Sequence, residues 1–281
     1  MNLAVGFFDG VHLGHRRILA CADAALTFRE HPARVLAPSR APALLMTSRA
    51  RIAAVEAALR PGAPGRVCAL DFTPAFAAES AESFALWLRR SYPDLEEILC
   101  GLNWRFGAGG EGDAEFLRAR GFAVRAMPFV EIDGAPVSST RIRAAIASGD
   151  MAAAARLLGR PWRVEGEAAS GKGVGSALGF PTINLKVAED LVRPPCGVYA
   201  VATPLGRAVA NWGRAPTMGE NAWEKPVLEV HVISSHPVVA PKTLAVDFLK
   251  FIRTERAFSG VDELRAQIAA DISALQWQSM V

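Results

Sequence analysis

The sequence is short of net charge, of paired cysteines and of long apolar runs, and each shortage closes off a class of function. Lysine and arginine total 31 against 28 aspartate and glutamate, leaving a net charge of +3 over 281 residues. That balance gives no electrostatic footprint for a nucleic acid, so any anionic partner must be gripped locally by a few groups. Four cysteines occur, Cys21, Cys68, Cys100 and Cys196, far apart and without a CxxC pair. Neither a zinc site nor a disulfide framework is signalled, and a reduced, cytoplasmic setting is expected. No apolar run approaches the roughly 20 residues that span a bilayer, so no membrane is expected as a partner. The opening MNLAVGFFDG places an acid after a very short apolar run with no basic residue before it, unlike a secretion signal. No internal repeat or low-complexity tract stands out.

What is present is an ordinary globular composition, 51% hydrophobic and 21% charged. By the rule of about 150 residues per domain, the length favours two domains. The first half alternates short apolar runs (LAVGFF, ALTF, RVCALDF, EEILCG, AVRAMPF) with helical patterns (from about His15, then SRARIAAVEAAL, ESFALWLRR, DAEFLRARG). Strands alternating with helices predict an α/β doubly wound parallel sheet. The stretch from His15 to Leu26 is brief, so the first helix has about seven residues and spans only about 10 Å.

The texture changes near residues 150–160, where Gly149-Asp150 and MAAAARLLGR give way to PWRVEGEAASGKGVGSALGFPTINL. Beyond this come short β runs (GVYAVAT, RAVANWG, VLEVHVI, LAVDFLKFI) between Gly, Pro and Asn turns. They predict a small antiparallel barrel or sandwich. The expected domains are 1–158 and 159–281. A closing helix, with Ser259 or Asp262 as cap, repeats Leu264, Ile268, Ile272 and Leu275 on one face.

In GFFDGVHLGH an apolar strand is followed by the turn Asp9-Gly10, and then His12-Leu13-Gly14-His15 opens a helix. Free backbone N–H groups and the helix dipole favour phosphates at that point of an α/β fold. Histidines three apart share one side of the first turn. Nucleotidyl transfer needs charge stabilisation around phosphorus, which imidazole N–H groups on a fixed turn can supply. His12 and His15 are therefore the candidate catalytic pair for holding ATP phosphates, with Gly6, Phe8, Asp9 and Gly14 framing the nucleotide. Downstream, VSSTRIRAAIASGD places Ser139 and Thr140 at a helix start and Arg141 and Arg143 in its first turn, a second anion grip.

In the second half, Gly171-Lys172-Gly173-Val174-Gly175 starts a glycine-rich loop that by itself reads equally as a hairpin loop. The more specific piece is Gly179-Phe180-Pro181-Thr182-Ile183-Asn184. In an extended segment Thr182 and Asn184 project to one face, and a hydroxyl beside an amide oxygen suits Mg2+ that keeps most of its waters and ATP phosphates. VLEVHVI puts Leu228, Val230 and Val232 inward and Glu229 and His231 on the other face, which most β proteins leave to solvent. A kinase acting on a primary alcohol needs a carboxylate to take the hydroxyl proton, and Glu229 is the candidate.

In combination these segments resemble the bacterial bifunctional riboflavin kinase/FMN adenylyltransferase (FAD synthetase) family. The resemblance rests on GFFDGVHLGH, TFREHP (27–32), GLNWRFGAGGEGD (101–113), SSTRIR, GFPTIN, GVYAV (197–201), the NxGxxPT stretch (211–217), LEVH and IRxExxF (252–258), and it covers essentially the whole chain. It implies an N-terminal Rossmann-like nucleotidyltransferase sheet and a riboflavin kinase-like barrel. Riboflavin, FMN, FAD and ATP would be substrates or products, with Mg2+ as cofactor. By the same likeness Phe28, His31 and Pro32 border the flavin, Asn103, Arg105 and Phe106 line the pocket, and Ser139, Thr140 and Arg143 contact ATP phosphates. In the kinase, Gly171, Lys172, Gly173, Gly179 and Pro181 lie on the ATP side, Thr182 and Asn184 bind MgATP, and Glu229 is the base.

The chain departs from the pattern at Asn103-Trp104, where the family commonly has Asp-Phe, and at Ala177, where an Arg is common. HPVVAPKTL also stands where a Leu-Tyr-Gly is usual after LEVH. These departures keep open a second reading, an FMN adenylyltransferase whose kinase module only binds flavin. A third is a flavin-sensing protein without turnover, against which the HxGH pair and Glu229 argue.

Overall fold

A computed structural model describes residues 1–62, 66–169, 180–213, 227–234, 238–256 and 261–273. By backbone packing the chain divides into Met1–Ser139 and Thr140–Val281.

In the first unit the apolar runs become β1 (Asn2–Val5), β2 (Ala24–Phe28), β3 (Arg66–Leu70), β4 (Glu97–Gly101) and β5 (Val124–Met127). All pair in parallel, in the order β3-β2-β1-β4-β5. Between them run α1 (Leu13–Leu19), α2 (Ala33–Leu36), α3 (Ser48–Ala58), α4 (Pro74–Ala77), α5 (Ala81–Ser91) and α6 (Ala114–Arg118), and a short hairpin follows, β6 (Glu131–Ile132) with β7 (Ala135–Pro136). The doubly wound expectation holds. Alternation along the central strands sorts the core into two layers. Leu3, Val5, Ile98 and Cys100 pack with Phe84 and Leu88 of α5 and Leu117 of α6. Ala4, Ala25 and Leu99 meet Ile18 and Leu19 of α1 and Val55 of α3. A sheet covered on both faces has no polar side, so these strands read as continuous apolar runs.

Side-chain caps set where the helices begin. Thr47 accepts from Ala50 N–H at 3.3 Å for α3, Ser80 from Ser83 N–H at 3.1 Å for α5, and Asp113 from Phe116 N–H at 2.9 Å for α6. The first helix has the expected seven residues but starts at Leu13 rather than about His15, because His12 supplies its cap.

The second unit is a closed barrel rather than a sandwich. Its strands are β8 (Trp162–Ala169), β9 (Ile183–Val187), β10 (Gly197–Thr203), β11 (Gly206–Gly213), β12 (Val227–Val232) and β13 (Thr243–Thr254), in the order β10-β11-β12-β9-β8-β13. The twelve-residue β13 closes the ring by pairing with both β10 and β8. Register shifts at Val198/Tyr199 and Ala200/Val201 supply the bend that closure needs. Trp162, Tyr199, Trp212 and Phe248 fill the interior.

Three helices belong with the barrel: α7 (Ser139–Ala147, from its second residue on), α8 (Met151–Leu158), which packs on β13 and β8, and α9 (Val261–Ser273). The buried Asp271 of α9 accepts a two-pronged bond from Arg253 of β13 (Nε 3.0 Å, Nη2 2.9 Å to Oδ2). Asp262 sits inside the first turn of α9 instead of capping it. Ile268 and Ile272 are half-buried, while Ser259, Leu275 and the side chain of Leu264 lie outside the described residues.

Candidate active sites

The order β3-β2-β1-β4-β5 reverses direction at β1, and the carboxyl end of a strand at such a switch point opens a crevice. The chain leaving β1 there makes a tight turn with three left-handed residues, Phe8 (φ 58°), Gly10 (φ 79°) and Val11 (φ 42°). A β-branched residue in that region costs on the order of 1–3 kcal/mol. Burial of Phe8 and Val11 offsets it, as do two bonds in which Leu45 N–H donates to the Asp9 carboxylate (3.0 and 3.2 Å). Ser139 adds a hydroxyl bond to the Asp9 carbonyl at 3.0 Å.

The turn delivers His12 to the N-cap of α1, where its Nδ1 accepts from His15 N–H at 3.4 Å. With Nδ1 an acceptor, the neutral ring carries its proton on Nε2. The two imidazoles stack at 3.6 Å between centroids and 20° between planes, and the Phe8 ring meets His15 edge-on at 5.4 Å. Gly14 leaves room for this stack, since a Cβ there would stand 3.2 Å from His12 Cε1 and the ring would have to give by a few tenths of an ångström. Burial first, and His12 second, hold the His15 pKa well below the usual imidazole value. His15 is therefore neutral near pH 7, and its Nδ1 is buried with no partner. Uncharged N–H donors at a helix N-terminus suit phosphate oxygens in flight between bonds.

Beside this turn, β2 ends at Phe28, and His31 Nδ1 accepts from Ala33 N–H at 3.1 Å to start α2 behind Pro32. Phe28 begins a chain of rings: Phe72 at 5.0 Å, Phe76 at 5.5 Å, then Phe84 at 6.3 Å from Phe76 and Phe106 at 5.0 Å from Phe84. Trp104 stacks on Phe106 at 4.7 Å. Phe72 and Phe76 were not singled out from the sequence; the aromatic run DFTPAF was the available signal. Phe106 is nearly buried within the core, Asn103 is exposed, and Arg105 is ion-paired with Asp113 at 2.6 Å. The Ser139 hydroxyl is committed to Asp9, while Thr140 is exposed and Arg143 half-buried one turn into α7.

In the barrel, antiparallel register sets Glu229 of β12 directly opposite Asn211 of β11 on one side and Asn184 of β9 on the other. Directly opposed residues share a face, so the three form a polar row. Leu228 and Val230, buried to either side of Glu229, point into the barrel. Asn211 Nδ2 donates to Glu255 Oε1 at 3.1 Å, and a Cβ on Gly213 would overlap the Glu255 carboxylate. Burial first and the Glu255 charge second push the Glu229 pKa above the ordinary carboxylate value. Asn184 Oδ1 and Asn211 Oδ1 are buried without a partner. His231 Nδ1 lies 3.0 Å from Pro181 O and its ring meets Phe180 edge-on at 5.2 Å, which fixes the strand entrance carrying Thr182. Gly171, Lys172, Gly173, Ala177 and Gly179 lie outside the described residues, as do residues 214–226 and 235–237. Among the described residues no three His, Cys, Asp or Glu groups gather as a metal site. The oxygens of Thr182 and Asn184, one of them orphaned, are the hard donors that Mg2+ accepts.

The chain matches a family model described as FAD synthetase over residues 1–141 and one described as riboflavin kinase over residues 158–278. It is 33% identical over 290 residues to the bifunctional riboflavin kinase/FMN adenylyltransferase of Pseudomonas fluorescens, covering 96% of this chain and 90% of that protein. The namesake from Bacillus subtilis strain 168 is 30% identical over 288 residues, covering 96% and 89%. The chain belongs to this bifunctional riboflavin kinase/FMN adenylyltransferase family. A solved structure titled a macrolide-efflux protein, from Streptococcus pneumoniae, superposes with a TM-score of 0.82 at 28% identity, covering 97% of this chain and 92% of that one. Among the described residues no helix is long and apolar enough to cross a membrane. For a bifunctional transferase of this family, the division of labour follows the two matches. The histidine stack and the aromatic wall fall in the FAD synthetase match, and the Asn–Glu–Asn row falls in the riboflavin kinase match.

Proposed function

We propose that the chain makes FAD from riboflavin in two ATP-dependent steps, and that residues 1–158 and 159–281 divide the work. In the barrel the ribityl primary hydroxyl attacks the γ-phosphorus of ATP, the bond to the β,γ-bridging oxygen breaks and ADP leaves, giving FMN. Glu229 takes the hydroxyl proton. Its pKa, raised by burial first and the Glu255 charge second, makes it a better proton acceptor than an exposed glutamate. Mg2+, held by Thr182 and Asn184, would neutralise phosphate charge there.

In the first unit an oxygen of the FMN phosphate attacks the α-phosphorus of a second ATP, and pyrophosphate leaves. His12 and His15 donate N–H bonds to phosphate oxygens as charge builds. A neutral His15 avoids the repulsion that two stacked imidazolium ions would suffer. The flavin ring lies against the wall that starts at Phe28, with His31 and Pro32 at its border. The wall offers broad ring faces to a planar heterocycle. The four cysteines are free thiols, in keeping with a cytoplasmic site of action.

The observation that carries the reading is the pairing of a histidine stack at a sheet switch point with a half-buried glutamate flanked by two orphaned amide oxygens. Purified protein given riboflavin, ATP and Mg2+ should produce FMN and then FAD by chromatography, with nothing formed after EDTA. FAD from added FMN but none from riboflavin would leave only the adenylyltransferase.

A further inference from the structure

Arg51 stands on α3 with its side chain sealed from solvent inside the first unit. Its guanidinium donates four hydrogen bonds. Nη1 reaches Phe7 O (2.9 Å) and Thr27 Oγ1 (3.0 Å), and Nη2 reaches Phe28 O (2.7 Å) and Arg29 O (2.9 Å). Thr27 in turn donates its hydroxyl to the same Phe7 carbonyl at 3.1 Å. The group also lies over the Phe7 ring, 4.0 Å from its centroid. Burial lowers the Arg51 pKa to about 10 and the nearby Asp9 charge partly restores it, so the side chain stays charged near neutrality. Burying a cation is costly, the more so with Nε left without a partner, and an apolar side chain would cover the sheet without that cost.

The acceptors belong to two different parts of the site. Phe7 begins the turn that carries His12 and His15, whereas Phe28 and Arg29 lead from β2 into His31 and Pro32. The Phe7 ring, held against the guanidinium, meets the His31 ring edge-on at 4.6 Å. We propose that Arg51 is a positioning residue that clamps the ATP-handling turn to the flavin-bordering segment and, through Phe7, sets the orientation of His31. This rests on the first unit's being the FMN adenylyltransferase. One planar fork joins both segments at fixed separation. A lysine offers its donors from a single point and cannot span the same acceptors.

The test uses full-length R51K, F7L, H31A and the R51K/H31A double variant, assayed separately for riboflavin phosphorylation and for FAD formation from FMN. R51K should raise KM for FMN by about tenfold or more with a smaller fall in kcat, and leave the phosphorylation rate at the wild-type level. In the double variant the two increases in KM should combine to less than their product, because both changes remove the same placement of His31. F7L keeps the bonds to backbone carbonyls and removes only the ring, and should reproduce the rise in KM. That variant decides the matter if R51K loses the fold of the first unit, seen as lost FAD formation with phosphorylation intact. A wild-type KM for FMN in F7L, or increases that simply multiply in the double variant, would overturn the clamp. FAD formation that survives H15A would instead overturn the adenylyltransferase reading of this unit, so the two failures are distinct.

Discussion

His15 couples stability to pH through its neutral ring. Its folded pKa lies below the unfolded value of about 6.5, so the unfolded chain takes up the proton first as pH falls. The stability tied to this residue is therefore full above about pH 6.5 and is lost as pH drops from there towards the folded pKa. Urea midpoints of the wild type measured between pH 8 and 5 should decline over that range, and H15F should flatten the decline. At Glu229 the sign is opposite. A raised carboxylate pKa moves the acid limb of riboflavin phosphorylation above the value near 4.3 expected for an ordinary glutamate. E255Q keeps an acceptor for Asn211 and removes the negative charge, so the limb should shift to lower pH in a pH–rate profile. The HxGH pair stood out in the sequence by its residue types and spacing, whereas Glu229 stood out only through the resemblance, its strand alternation by itself reading as a solvated face. Arg51 and Glu255 did not stand out. Arg51 shares a helix face with the buried Val55, four residues on, and an arginine in an apolar stripe carries no mark of what it holds.

The seven-residue turn between β1 and α1 is the element on which the first site depends, and glycine is needed in and beside it for two reasons. Gly10 needs its left-handed backbone, and Gly14 needs the absence of a side chain beside His12. G14A should shift the His12 ring in its stack, and we expect FAD formation to fall roughly tenfold or more while riboflavin phosphorylation is unchanged, as steady-state assays would show. The strands of the parallel sheet were legible because burial on both faces makes them unbroken apolar runs. β8 and β9 were harder to read. In β8 the inward positions are Trp162, Val164 and Gly166, and the glycine interrupts the alternation because a Cβ there would stand 2.7 Å from Leu185 Cβ on β9. The close approach that seals the barrel at this point also erases its signature in the sequence. Barrel against sandwich was undecided for a related reason: closure depends on which distant strands pair, and alternation within each strand is the same in both.

At the scale of the molecule each unit has its own buried residues, and the histidine stack lies in the first unit while the Asn–Glu–Asn row lies in the second. H15A should therefore abolish FAD formation and spare FMN production, while E229Q should lower FMN production by about 10²–10⁴ and spare FAD formation from added FMN. Chromatography of the two reactions, run side by side, checks both. The change of texture near residues 150–160 was legible, but the allegiance of the helices before it was not. α8 spends its apolar face on β13 and β8, and an amphipathic stripe does not say which core it will join.

The late position of β13 has a consequence for synthesis. The five strands of the first sheet are all present once residue 127 has been made, whereas β8, the first strand of the barrel, pairs early with β9 but waits for its other partner, which begins at residue 243. On the ribosome the first unit can reach its final pairing while β8 and β10 each still present one unpaired edge to their surroundings. A chain stalled before residue 243 would thus carry a complete parallel sheet and a barrel still open, with five of its six strands made. Selection for clean folding in this enzyme should act most strongly on how quickly residues 243–254 follow the strands already made.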